Sequence, residues 1–160
     1  MDPLPLRHLL VPVDESKASK EAFKWTLDNL YRQGDSIHLF HVISPGQRVI
    51  INTDLGIDEV IPDDGENARK VEAHAKEYLT STYVPVLDEK QIPYQVEIVS
   101  FSTDNDSIGS IICKRAEQVN ASAVIMAKHT KGMIKEFIVG SATNYCTRNC
   151  RSPVLVMHCD

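Results

Sequence analysis

Short apolar runs alternate along this chain with longer segments whose apolar residues recur at helical spacing. Five runs have the length and composition of buried strands: 8–13, 36–43, 94–101, 121–127 and 153–158. Four helical segments separate them: 19–32, 67–91, about 106–119, and one that begins near 141. Such units form right-handed crossovers with parallel strands. The sequence therefore predicts an α/β fold, a doubly wound five-stranded parallel sheet with helices on both faces, of the flavodoxin or Rossmann-like type.

Length and composition limit the classes of protein that fit this pattern. The 160 residues suit a single domain, 1–160, and 42% hydrophobic with 24% charged residues is ordinary globular usage. A net charge of −5 argues against phosphate-driven binding of nucleic acid. There is no apolar run of the roughly 18 residues that a membrane helix needs, and the first residues lack a signal-peptide pattern. We expect a cytoplasmic protein without membrane or nucleic-acid partners.

The four cysteines are interpreted in the light of that compartment. Thiols in the cytosol are kept reduced, so we expect no disulfide. Cys146 and Cys150 lie four residues apart on one helix, and His158–Cys159 follows the last strand, so a metal site can be drawn. Zinc sites normally bring a second matching pair, which this chain lacks. We predict buried thiols and no metal site.

Two segments interrupt the regular pattern. Pro85 lacks the N–H that would bond back one helical turn, so we expect the second helical segment to kink or break there. Residues 44–66 contain several Gly and Pro, and 54–66 holds six acidic side chains without Lys or Arg. We predict a solvated loop, with a lid or a partner-docking segment as the alternative.

A ligand site is expected beyond the carboxyl ends of the strands, where the strand order of a doubly wound sheet reverses. After the fourth strand, Gly140 and Ser141 are predicted to open the last helix, whose free N–H groups and dipole favour an anion. Ser141 and Thr143 add hydroxyl donors. The charged residues from 128 to 151 are mostly basic: Lys128, Lys131, Lys135, Arg148 and Arg151 against Glu136. This pattern indicates a phosphate site, the alternative being a plain turn and helix cap.

The segment Met126–Thr143 resembles the universal stress protein family, whose nucleotide-binding members carry G-x-x-G, nine further residues, and then G-S or G-T. Residues Val11–Ser16 and His41–Val42 look like the same family, so the resemblance covers the whole chain. It implies a fold like that of the adenine nucleotide alpha hydrolases and a site for ATP, or for ADP or AMP, with Mg²⁺ as a companion ion. The residues that would form this site are Pro12, Val13, Asp14, Val42, Met126, Ala127, Lys128, His129, Thr130, Gly132, Gly140, Ser141, Ala142 and Thr143.

The resemblance also implies roles for some of these residues. Asp14 would contact the adenine, Val42 would line the base pocket, and the backbone of Pro12 and Val13 would frame it. A carboxylate at a strand-to-helix junction also commonly caps the helix, and both roles are compatible for Asp14. His129 would hold a phosphate or make its binding depend on pH, the alternative being an exposed side chain without a role.

The chain departs from the family pattern at the first two glycines, which are Ala127 and Thr130 here. If these positions need positive φ, each side chain would cost about 1 to 2 kcal/mol, and each Cβ would also occupy ligand space. Gly132 would offer flexibility in a shifted loop, while Lys128 and Lys131 would compensate by their charge.

The functional hypothesis is a binding module rather than an enzyme. The sequence contains no activated nucleophile, metalloprotease motif, paired carboxylates near the glycines, or complete P-loop, and we assign no catalytic residue. The alternatives are a stress protein that acts through protein contacts without nucleotide, and a slow ATPase or autokinase. The last strand has no Lys to blunt its edge, and the resemblance implies a homodimer formed through Val154–Met157.

Overall fold

The computed structural model describes residues 6–43, 50–52, 58–60, 65–101, 106–129 and 137–159, with the backbone alone at 50–52, 58–60, 129 and 137–140. The elements follow one another as β1 (His8–Pro12), α1 (Lys17–Trp25), a π-helical turn (Thr26–Leu30), β2 (Ser36–Ile43), β3 (Ile50–Asn52), β4 (Asp58–Val60), α2 (Gly65–Thr82), α3 (Val84–Glu89), β5 (Tyr94–Ser100), α4 (Ile108–Gln118), β6 (Ala123–His129), α5 (Phe137–Asn149) and β7 (Val154–Cys159).

Five strands form one parallel sheet in the order β5-β2-β1-β6-β7. The chain runs from β1 outward to β2 and β5, then returns to β6 and β7 on the other side. The predicted α/β fold is confirmed, and the strand order reverses between β1 and β6. No helix among the described residues is long and apolar enough to cross a bilayer.

The two faces of the sheet bury separate groups of apolar side chains. On one face, Leu9 and Val11 pack with α1, α2 and α3 through Phe23, Leu79 and Leu87. On the other, Leu10 belongs to the cluster that α4 and α5 complete: Leu10, Phe40, Val42, Ile112, Ala116, Ala121, Val124, Met126, Ala142 and Cys146. Because successive side chains of a strand point to opposite faces, the run from Leu9 to Val11 serves both clusters.

The predicted strands and helices are found, with differences in the bounds of some of them and one additional pair of strands. The break at Pro85 is confirmed, since α2 ends at Thr82 and the proline occupies the first turn of α3, where its missing N–H costs nothing. The loop predicted for 44–66 instead contains a hairpin, in which β3 and β4 pair antiparallel. Short strands without apolar alternation carry no clear periodic signal. The rest of that segment, 44–49, 53–57 and 61–64, lies outside the described residues.

The expectation that all four thiols are reduced is wrong for two of them. Cys113 of α4 and Cys150, just after α5, form a disulfide, with a Cα–Cα distance of 5.0 Å. The two helices pack side by side on one face of the sheet, and this tertiary contact brings together cysteines that are 37 residues apart. Cys146 and Cys159 are buried thiols outside the disulfide, as predicted.

An ion pair holds the start of β1 against the turn before β2. Arg7 Nε donates to Asp35 Oδ1 at 3.0 Å, and the amide of Arg32 donates to the other carboxylate oxygen at 2.9 Å. Arg7 Nη2 also donates to the carbonyl of Leu30 at 2.7 Å. Burial by itself raises the pKa of Asp35, but the hydrogen bonds and charge of Arg7 outweigh it, and the pKa is lowered from 3.8.

Replacing Arg7 by Gln is expected to remove about 2 to 3 kcal/mol of stability at neutral pH, because the buried carboxylate loses its charged donor. With a folded pKa below 3.8, the contribution of Asp35 is complete above about pH 4 and is lost as pH falls through the folded pKa. Urea unfolding between pH 5 and 3 should therefore show a shallower acid loss in R7Q than in wild type. Lys17→Gln, which removes an exposed i,i+4 pair with Glu21, is the control. Parallel curves for R7Q and wild type would contradict the assignment.

Gly109 of α4 packs directly against Tyr145 of α5. A Cβ at this position would lie 2.7 Å from Tyr145 Cβ, so we expect Gly109→Ala to push the helices apart and cost about 1 to 3 kcal/mol. Thermal unfolding should show a melting temperature lower by roughly 3 to 10 °C. Gly65→Ala is the matched control, since nothing lies within 4 Å of the added methyl. Equal melting temperatures for the two variants would refute the close contact.

Candidate functional site

A cleft opens at the carboxyl ends of the strands, at the point where the strand order reverses. β1 and β6 pair only at Leu9 and Leu10, whereas β1 stays paired with β2 as far as Pro12. The separation leaves a cleft that is partly open to solvent, at the place where doubly wound sheets bind small molecules. Its lining residues are Pro12, Val13, Asp14, Ser19, Phe40, Val42, Ile108, Ile112, Met126, Ala127 and Thr143.

Seven of the predicted site residues meet in this cleft: Pro12, Val13, Asp14, Val42, Met126, Ala127 and Thr143. Ala142 is buried in the adjoining core cluster. Thr130 and Gly132 lie outside the described residues. His129 and Gly140 are described only as backbone, His129 as the last residue of β6 and Gly140 within α5.

One side of the cleft is an apolar slot. Phe40 and Val42 of β2, Met126 of β6 and Ile112 of α4 are each at most 4% exposed, and Ile108 completes the wall at the start of α4. The N-cap of that helix is Ser107, whose hydroxyl accepts from the amide of Ser110. A flat apolar group of a ligand can enter this slot with little loss of polar contacts.

Asp14 stands at the mouth of the cleft in a rigid turn. Its side chain is buried, and Oδ1 accepts from the amide of Ser16 at 2.7 Å. Ser16 is the N-cap of α1, and its hydroxyl accepts from the amide of Ser19. The predicted capping role is therefore divided: Asp14 orders the turn, and Ser16 caps the helix.

The backbone of Asp14 is also held, by groups that the sequence did not single out. Its amide donates to Ser19 Oγ at 3.0 Å, and its carbonyl accepts from the hydroxyl of Tyr83 at 2.8 Å. Burial raises the pKa of Tyr83, so the phenol stays a donor at physiological pH. Behind them, His41 Nδ1 lies 2.7 Å from the carbonyl of Val13, which fixes the turn to β2.

Ala127 does not carry the backbone strain considered for it. It lies inside β6 and is absent from the left-handed conformations among the described residues. Its methyl group packs with Ala18 and Ala22 of α1, on the sheet face opposite to the core that contains Met126. Its carbonyl accepts from Thr143 Oγ1 at 2.9 Å, which ties α5 to the end of β6.

The start of the last helix differs from the prediction. α5 begins at Phe137, four residues before Ser141. The sequence did not indicate this start, because the first turn of the helix consists of apolar residues that are not typical helix-start signals. The N–H groups without an intrahelical acceptor belong to the first turn of a helix. Gly140 and Ser141 therefore do not open the helix, and the predicted helix start at these two residues is wrong. Ser141 presents an exposed side chain one turn further on.

The basic residues do not all gather at the cleft. Lys128 directly follows Ala127, and its Nζ donates to Asn144 Oδ1 at 3.1 Å. Arg151 pairs with Glu117 at 3.3 Å, near the C-terminal end of α4. Glu117 is five residues from Ile112, the nearest cleft residue of that helix, about 7.5 Å along its axis, and neither Glu117 nor Arg151 lines the cleft. Lys131 and Lys135 are outside the described residues.

Four lining residues were missed as site residues: Ser19, Phe40, Ile108 and Ile112. The sequence identified three of them only as members of apolar strands or stripes. The available signal was their position, since residues at a strand end or in the first turn after a strand face the carboxyl edge of a parallel sheet.

Comparison with known proteins agrees with this architecture. The fold is similar to that of the universal stress protein UspA from Lactobacillus plantarum, with a TM-score of 0.67 and 19% identity over 94% of this chain and 97% of that one. It is also similar to a universal stress protein from Archaeoglobus fulgidus solved in complex with dAMP, with a TM-score of 0.58 and 12% identity over 96% and 98% of the two chains.

Sequence comparison gives the family. Universal stress protein PHOS32 from Arabidopsis thaliana is 32% identical over 94% of this chain, which spans only 64% of that relative's length. Residues 5–158 match the sequence pattern of the Universal stress protein family. The chain therefore belongs to the universal stress protein family.

Proposed function

We propose that this protein is a cytoplasmic adenine-nucleotide-binding module, in which ATP, ADP or AMP occupies the cleft and biases a regulatory, stress-protective state. The observation that carries the proposal is the separation of β1 from β6 beyond Leu10, which opens a lined cleft at the point where the strand order reverses. Such crevices are where doubly wound sheets bind nucleotides.

The two ends of the cleft suit the two ends of a nucleotide. The apolar slot formed by Phe40, Val42, Ile112 and Met126 fits a planar base, and the buried carboxylate of Asp14 can accept a hydrogen bond from an exocyclic amine. Lys128, which directly follows the lining residue Ala127, supplies positive charge beside the hydroxyl-bearing helix α5. The related Archaeoglobus protein solved with dAMP supports an adenine nucleotide as the ligand class.

The departure at Ala127 does not argue against nucleotide binding. Its backbone is extended and its methyl group is accommodated by α1. The alternative hypothesis, that the protein acts without nucleotide, rests on the departures at Ala127 and Thr130. The departure at Ala127 therefore no longer supports it. We infer that the chain keeps the ligand site despite the degenerate glycine pattern, with Mg²⁺ accompanying a polyphosphate.

The first test is the melting temperature with and without Mg-ATP. A ligand at about a hundred times its Kd adds ~2.7 kcal/mol, which is roughly 5 to 10 °C for a chain of this size. GTP should give a smaller shift, because guanine offers a carbonyl where adenine has an amine. No shift with millimolar ATP would overturn the proposal.

Asp14→Asn then tests the base contact. The side-chain oxygen of Asn can still accept from the amide of Ser16, so the turn should fold. The side-chain nitrogen of Asn replaces the second carboxylate oxygen and cannot accept a hydrogen bond from the base. We expect ATP affinity to fall about tenfold. Glu15→Gln is the control, since Glu15 does not line the cleft and is half-exposed. Equal Kd values for both variants in calorimetry would refute the contact.

We also propose a homodimer that forms through β7. β5 and β7 are the two edges of the sheet, and β5 carries Glu97, paired with Arg115 at 2.9 Å. β7 instead presents four half-buried apolar residues, Val154–Met157, with no charge among them. An apolar edge strand invites pairing with another strand, so a second copy is its natural cover.

Val156→Lys is expected to shift the protein from dimer to monomer in sedimentation equilibrium, because a charged side chain on the edge opposes strand pairing. Gln95→Lys, an exposed position on the opposite edge strand β5, should leave the dimer intact. A monomeric wild type, or a dimer that only Gln95→Lys disrupts, would overturn the assignment of β7.

A further inference from the structure

Three cysteine sulfur atoms meet between α4 and α5, and none of the three cysteines lines the ligand cleft. Cys113 and Cys150 are bonded, and Cys146 Sγ lies 3.7 Å from Cys113 Sγ. All three sulfurs lie within 4.8 Å of one another. This cysteine cluster was not expected from the sequence, because Cys113 lies on a different helix and is 33 residues from Cys146.

The members of the cysteine cluster differ in how solvent reaches them. Cys113 and Cys150 are half-buried, so a small solute can reach the disulfide. Cys146 is fully buried, and its thiol donates toward the carbonyl of Gly109 at 3.5 Å. Burial raises the pKa of Cys146 to about 12, which keeps it protonated and slow to attack its neighbour. The disulfide is therefore accessible to small solutes, while the thiol of Cys146 is buried and unreactive as long as the disulfide is intact.

We propose that the cysteine cluster is a reversible redox modification site whose state sets the affinity of the cleft for adenine nucleotide. The oxidant is a small hydroperoxide, and the reductant is a dithiol. Disulfides of cytosolic proteins are usually transient and redox-sensing, which agrees with a bond that solvent can reach. The effect on affinity rests on the nucleotide-binding function proposed above; the redox chemistry does not.

Oxidation of the two thiols needs only the hydroperoxide and no cofactor bound to the protein. The thiolate of one cysteine attacks the peroxide, the O–O bond breaks, and the sulfur becomes a sulfenic acid as an alcohol leaves. The second thiolate then attacks that sulfur, the S–S bond forms, and hydroxide leaves and takes up a proton. Two thiols and one hydroperoxide give one disulfide, one alcohol and one water. Reduction by a dithiol proceeds through a mixed disulfide and returns both thiols.

The link to the cleft is the packing of α4 on α5. Ile112, directly before Cys113, lines the cleft, and so does Thr143, three residues before Cys146. The same helices touch at Gly109 and Tyr145, so the crosslink is a second point at which their spacing is fixed. Oxidation therefore holds two walls of the cleft at a set distance before the ligand arrives, and a preorganised site binds more tightly.

Mapping the crosslink tests the redox site by itself. After peroxide treatment, mass spectrometry of the full chain should find Cys113 bonded to Cys150 in wild type and in the control Cys159→Ser. In Cys150→Ser, we expect Cys146 to replace the missing partner, because its sulfur is already 3.7 Å from that of Cys113. Cys113→Ser should form no bond within the cluster, because the amide of Cys150 bonds back to the carbonyl of Cys146 as in a helix, and Cβ atoms at that spacing are about 5 to 6 Å apart, too far for a disulfide. Wild type without a Cys113 bond after oxidation would overturn the site.

Calorimetry with Mg-ATP tests the coupling. We expect the oxidised wild type to bind roughly five- to tenfold more tightly than the protein reduced by a phosphine, and Cys113→Ser to give one Kd under both conditions, equal to that of reduced wild type. Equal or weaker affinity in the oxidised state, or a Cys113→Ser variant that still responds, would overturn the coupling. Failure of ATP to bind either state would instead overturn the proposed function and the coupling with it, while the crosslink map would still decide the redox site.

Discussion

Strand β1 is buried on both faces, and the rest of the structure depends on that burial. Leu9, Leu10 and Val11 are each at most 1% exposed, so helices must cover the sheet on two sides. When helices cover both faces of a parallel sheet, only the ends of its strands remain open to solvent. Polar groups such as Asp14 are therefore collected at the carboxyl edge, where the backbone turns toward a helix.

The reversal of strand order converts this edge into a site. β2 and β6 flank β1 on opposite sides, and β1 and β6 stop pairing after Leu10, whereas β1 stays paired with β2 as far as Pro12. The ring of contacts around Asp14, from Ser16, Ser19 and Tyr83, then keeps the edge rigid. Topology positions the cleft, and local hydrogen bonds shape it.

The sequence was informative where local rules act alone. β2 has the predicted bounds, Ser36–Ile43, because a short apolar run between polar turns has few other solutions, and Pro85 breaks the helix because it lacks a donor. The start of α5 and the Cys113–Cys150 bond were not predicted. Both depend on how α4 and α5 pack against the sheet, which no local pattern encodes. The absence of backbone strain at Ala127 was also not predictable from local sequence, because its extended backbone follows from the continuation of β6 through this residue.

The lining of the cleft comes from distant parts of the chain, from Pro12 near one end to Thr143 near the other. A growing chain on the ribosome therefore has no complete cleft until α5 has emerged and docked on β6 through Thr143. A ligand that needs every wall can recognise the cleft only after α5 has docked, so its binding would report that α5 is folded against the sheet. Fragments that end before α5 would lack Thr143 and would therefore not bind that ligand or be protected by it from proteases.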